Sequence, residues 1–208
     1  MNNIINNIVK MASIITETAW SILEGLKKND IILLEKAVEH LSAIDINANK
    51  IDNEIISLIP ILCKNKHAAR ELISYIRIIN EFAQTAVTLK YFCKYMSLCM
   101  YERSFIATKE PASQLLQSSI DAFIMSAELM ENRDNIEDIF RKIKIKRLTM
   151  DDLYLKIEKT IIGLDTKLTI NCTKILNAVE KLDDIFKSAI TVTKIILLIR
   201  DGGKLRIY

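Results

Sequence analysis

Two carboxylates in the last fifth of the chain, Glu180 and Asp184, have the type and spacing to do chemistry. Four residues apart on one helix, they stand a turn from each other and project from the same surface. Such a pair can grip a hard or borderline cation from one side. Two ligands bind weakly, so further donors must come from a neighbouring helix or a second subunit. Asp183 lies beside the pair and adds charge. The alternative is a solvated helix face, with Lys181 and Lys187 as its counter-charges. An iron, zinc, manganese or magnesium ion held at Glu180 and Asp184 would be single and superficial.

Other chemistry finds little material. A di-iron carboxylate bundle needs Glu-x-x-His pairs, but Ala37 and Lys64 stand three residues before His40 and His67. With only these two histidines, both expected at the surface, acid–base and nucleophilic catalysis lack their usual partner. Gly202-Gly203 follows a helical stretch and precedes none, so it reads as a helix C-cap and not a phosphate cradle. Cys63, Cys93, Cys99 and Cys172 are scattered without a Cys-x-x-Cys, which points to reduced, mostly buried thiols in a cytosolic protein. No catalytic residue and no organic cofactor site emerges.

The elements that position Glu180 and Asp184 are helices. Only four Gly and two Pro punctuate 208 residues, too few turns for an all-β fold. A net charge of +3, without basic and aromatic residues interleaved, does not point to nucleic acid. The longest uncharged stretches fall short of the roughly 18 residues of a spanning helix, and Met1 to Val9 is too rich in asparagine for a signal-peptide core.

The apolar spacing predicts six helices. The first runs from about Asn3 to Lys28, with Ile8, Met11, Ile15, Ala19, Ile22 and Leu26 on one stripe. Asn29 or Asp30 can cap the second, which carries Leu34, Leu41, Ile44, Ile51 and Ile55 until Pro60 ends or kinks it. The third starts near His67 and shows Leu72, Tyr75, Ile79, Phe82, Leu89 and Met96. Thr108 to Pro111 is the clearest break, with Pro111 in the first turn of a fourth helix running to about Glu131. Asp134 and Glu137 resemble a capping box for the fifth. Its stretch from Arg141 to Arg147 holds five basic residues in seven, more typical of a solvated face than of a docking site. Gly163 to Thr166 closes that helix and caps the sixth, whose seam is Leu164, Leu168, Cys172, Ile175, Val179, Leu182, Phe186 and Ala189. Trp20, Tyr75 and Phe82 lie on helical stripes and are expected in the core.

The chain also echoes itself. Arg77-Ile78-Ile79-Asn80 matches Lys174-Ile175-Leu176-Asn177 at an offset of 97 residues, with Arg70 opposite Lys167 and Lys90 opposite Lys187. The expected fold is therefore all-α: two tandem three-helix repeats, residues 1–108 and 111–208. Ala83 and Val87 fall where Glu180 and Asp184 would repeat.

At these residues the chain resembles the PhoU family of phosphate-uptake regulators. That family's third helices carry a segment like Ile-x-Asn-Asp-Leu-Glu-Arg-Ile-Gly-Asp, and Ile175 to Asp184 is similar to it, with Glu180 and Asp184 on its Glu-x-x-x-Asp positions. Arg70 and Arg77 to Phe82 match the approach to the motif in the first repeat, and Ile51 to Ile55 looks like the family's second-helix signature. The resemblance implies a cytoplasmic, non-enzymatic adaptor that restrains a phosphate ABC transporter and reports its status to a sensor histidine kinase. It implies metal binding at the acidic motif and is compatible with a homo-oligomer. Two other readings stay open: a helical regulator of a different transporter or partner, favoured by the altered first motif, and a metal-dependent enzyme or metal store.

Overall fold

The computed structural model describes residues 2–62, 65–164 and 170–201. Within them every regular element is a helix: α1 (Asn2–Lys28), α2 (Ile31–Ser42), α3 (Ile44–Leu62), α4 (Lys66–Cys99), α5 (Arg103–Glu128), α6 (Ile136–Gly163), α7 (Ile170–Lys181) and α8 (Asp183–Arg200). The six expected helices are present as six rods, two of them interrupted. Ala43 separates α2 from α3 and Leu182 separates α7 from α8. Both residues keep right-handed helical backbone angles, so the rods continue past the interruptions.

Each stripe named above is buried along its described residues except at Leu164, which is half-buried, because a helix in water is stable when its apolar face is covered. The helices α1, α4, α8 and α5 pack in a ring, α2 and α3 lie against α1 and α4, and α6 lies against α5 and α8. One continuous apolar cluster runs through both halves. Phe82 of α4 meets Phe123 of α5 edge-on at 5.1 Å. Below them, the buried Tyr75 donates its hydroxyl hydrogen to Glu71, while Arg133, from the turn before α6, donates to the same hydroxyl oxygen at 3.1 Å.

Several local expectations are corrected. The chain turns at Met100–Glu102, and Thr108 and Pro111 both lie inside α5. Phe105, Thr108, Ala112 and Leu115 form one buried stripe across the proline. That burial offsets the roughly 3 kcal/mol a helix-interior proline costs. Pro60 likewise lies inside α3, near its end. The Asp134–Glu137 capping box does not form: Asn135 starts α6 in a left-handed conformation, φ 58°, without a side-chain cap, and Glu137 instead accepts from Arg200 of α8. Trp20 is 41% exposed and not in the core, whereas Tyr75 and Phe82 are fully buried.

Others hold. Asn29, at φ 55°, closes α1, and Asp30 caps α2 by accepting from the Leu33 N–H at 3.0 Å. His40 and His67 are exposed, and Cys93, Cys99 and Cys172 are buried and unbridged. Cys63, Leu168, the Asp165–Thr166 cap and Gly202-Gly203 lie outside the described residues. No described helix is long and apolar enough to cross a membrane.

Candidate functional site

The interruption at Leu182 sets the geometry of the acidic motif. The Leu182 N–H donates to the Val179 carbonyl at 3.1 Å and the Ile185 N–H to the Leu182 carbonyl at 3.1 Å. These three-residue bonds tighten the turn between Glu180 and Asp184, so the two do not share the surface of one regular helix. Glu180 is exposed at the end of α7. Asp183 and Asp184 open α8, where carboxylates complement the positive end of the helix dipole.

The two aspartates are already engaged. Arg147 of α6 donates through Nε to Asp183 Oδ1 at 2.7 Å and through Nη2 to Asp183 Oδ2 at 2.9 Å, a bidentate fork. Lys187 Nζ sits 3.0 Å from Asp183 Oδ2 and 3.0 Å from Asp184 Oδ1. Lys181 Nζ lies 3.0 Å from Asp184 Oδ2. Three protein cations thus face two half-buried carboxylates, and the cluster fastens α6 across the join of α7 and α8.

Burial pushes the Asp183 and Asp184 carboxyls up, but hydrogen bonds from Arg147 and Lys187 to the first, and from Lys181 and Lys187 to the second, hold both below their ordinary range. The hydrogen bonds that Lys187 donates to the same carboxylates raise its own pKa, and the bond Arg147 donates to Asp183 raises that of Arg147. The sign follows for stability. A carboxyl lowered in the fold stabilises fully above its unfolded value, about 3.9 for Asp, and loses that contribution as pH falls through its folded value. Thermal melts should therefore show a fall in Tm below about pH 4 that is shallower in Asp183→Asn/Asp184→Asn. Parallel slopes in the two proteins would contradict the clasp.

The residues do not fit a tightly held metal. Asp183 and Asp184 direct their oxygens at Arg147, Lys181 and Lys187, so an incoming dication would have to displace lysines and face the remaining positive charge. Among the described residues no group of three or more His, Cys, Asp or Glu is placed to hold an ion.

The basic run of α6 is also largely occupied. Besides Arg147, Lys146 pairs with Asp121 of α5 at 2.9 Å, Lys142 with Asp138 at 2.8 Å, and Lys144 lies 4.3 Å from the centre of the Phe140 ring. In the first half, Lys90, the counterpart of Lys187, reaches Asp45 of α3 at 3.5 Å. Val87, in the place of Asp184, is exposed in a groove with Val38 and Tyr91, between Glu35 and Glu39 on α2 and Lys90 and Lys94 on α4.

Sequence reasoning named Glu180 and Asp184 and passed over Arg147, which closes the cluster from 36 residues before Asp183. Its place in a basic run was the only signal, and that run did not say which cation turns inward.

Compared with models of known protein families and with curated protein sequences, the chain matches none. It is similar to solved structures. The phosphate transport system regulatory protein PhoU from Streptococcus pneumoniae superposes with a TM-score of 0.82 at 17% identity, covering 99% of this chain and 97% of that one. PhoU from Pseudomonas aeruginosa gives a TM-score of 0.75 at 14% identity, with 97% of each chain covered. From end to end, the chain has the all-helical fold of these two PhoU proteins.

Proposed function

We propose that this protein is a PhoU-like regulator of phosphate uptake and phosphate signalling, cytoplasmic and without catalytic turnover. It acts by binding a phosphate ABC transporter, a sensor histidine kinase, or both, through helix faces. The observation that carries the reading is the near-complete superposition on two PhoU proteins. The exposed positions of both histidines support a binding role over catalysis. Deletion in the source organism should alter phosphate uptake and phosphate-responsive expression. Unchanged uptake and expression would overturn it.

The groove at Val87 favours a second reading, in which the fold serves a different transporter or partner. An exposed valine where the other half has an aspartate changes what this face can bind. Expression in a bacterium lacking its own PhoU separates the two: restored phosphate control supports the first reading, and a well-folded but silent protein supports the second.

On either reading the acidic motif works as a structural clasp and not as a metal centre. Protein loaded with manganese, zinc or iron and then desalted should retain only substoichiometric metal. Stoichiometric metal, lost in Glu180→Ala/Asp184→Ala, would restore the metal-motif reading.

A further inference from the structure

One end of the bundle carries exposed apolar side chains on several turns at once. Helices α1 and α4 end there, and α2, α5 and α7 begin there. Lys109 of α5 donates to the Lys27 carbonyl at 3.3 Å and to Asn29 Oδ1 at 3.2 Å. Asn171 of α7 donates to Glu102 Oε1 at 3.0 Å, so these turns are tied together. Ile32, Leu98, Tyr101, Ile106 and Ile170 lie within one turn of those helix ends and are 57 to 79% exposed. Beside them stand Lys27, Lys94 and Arg103, exposed and without an ion pair among the described residues. The acids of these turns, Asp30 and Glu102, face their own chain: Asp30 accepts from the Leu33 N–H and Glu102 from Asn171. The turn at the other end of α5 carries Glu131 and Asp134 and no exposed large hydrophobic residue.

We propose that this end of the bundle rests on an anionic lipid surface, with Tyr101 and Ile106 entering the headgroup layer and Lys27, Lys94 and Arg103 meeting lipid phosphates. Large apolar side chains gathered in water mark a contact with something else. These are spread over four helices and a turn and form no stripe along one helix. They therefore suit a fluid surface better than the continuous seam that a partner helix needs. A tyrosine, apolar along its ring and polar at its tip, is at home at the depth of the headgroups. Each unpaired cation gains from the negative potential of anionic lipid, about fivefold in affinity. No described helix is long and apolar enough to cross a bilayer, so the contact is superficial and reversible. It concentrates the protein on the plane where a transporter lies, and it does not depend on which transporter that is.

Flotation of the full chain with vesicles of equal parts phosphatidylcholine and phosphatidylglycerol tests this. Wild type should float with them, and less so as salt is raised. Lys94→Gln/Arg103→Gln should weaken vesicle binding by about 30-fold. Tyr101→Ser/Ile106→Ser should weaken it by about tenfold or more, with an unchanged melting temperature because both side chains are exposed. In Trp20→Phe/Tyr101→Trp the new indole should shift its emission to the blue on adding vesicles and be quenched by brominated lipid. Wild type that stays unbound to these vesicles would overturn the proposal. So would binding indifferent to the Tyr101 and Ile106 changes, which is adsorption by charge alone or through another face. Loss of phosphate control in Tyr101→Ser/Ile106→Ser, from a protein that never binds vesicles, would give this end to a protein partner and overturn it too. Vesicle binding with phosphate control unaffected by deletion of the gene would instead uphold the lipid contact while the regulator reading falls.

Discussion

Phe82→Ala should destabilise the protein by about 3–5 kcal/mol and lower its Tm by roughly 10 °C. Phe82 is fully buried, and its ring edge meets Phe123 across the boundary between the halves. Removing it deletes apolar contact area, leaves a cavity in a close-packed interior and breaks an aromatic pair. The shape of the transition matters more than its size. One apolar cluster spans both halves, and α4 packs on α7 and α8 as well as on α2 and α3. Damage in α4 should therefore shift one cooperative transition for the whole chain, seen alike by circular dichroism and by a probe in α8. Two transitions, with only the first displaced, would mean that the repeats fold independently.

That shared core explains which parts of the fold were legible in the sequence. Long stripes such as Leu72 to Met96 fixed the existence and inner face of each rod, because burying an apolar face is what stabilises a helix. Ends and interruptions depend on contacts elsewhere. Pro111 marks a break by local propensity, yet tertiary burial carries α5 through it. The Asp134–Glu137 pair has the spacing of a capping box, but Glu137 finds Arg200 across the bundle instead. The internal echo is also imperfect: the first half interrupts its second rod at Ala43, the second half its third rod at Leu182. Position 85, the counterpart of Leu182, lies in the uninterrupted α4.

The candidate site was legible as a place and not as a constellation. Glu180 and Asp184 drew notice because a regular helix would set them side by side. The tightened turn at Leu182 instead leaves Glu180 outside and makes Asp183 the centre. Charge spacing along one helix cannot show that α6 lies close enough to deliver Arg147. Nor can it show that Lys187 will bridge two carboxylates instead of extending into water.

Asp183→Ala should cost about 2 kcal/mol, between the worth of a hydrogen bond to a charged group and that of a fully buried ion pair. The change removes both acceptors of the Arg147 fork and one of the two acids holding Lys187. It leaves Arg147 without its fork, and Lys181 and Lys187 on Asp184 alone. Water reaches Arg147 and Lys187, which keeps the loss below that of a dry pair. Glu180→Ala, by contrast, alters an exposed residue outside the clasp and should shift stability by no more than about 0.5 kcal/mol. A double-mutant cycle separates the pair from its surroundings: with Arg147→Met as the second change, the coupling energy should reach about 1–2 kcal/mol. Urea unfolding of the four proteins at neutral pH provides the measurement. Zero coupling, or a Glu180→Ala loss equal to that of Asp183→Ala, would mean that the acidic motif does not hold α6 to the α7–α8 join.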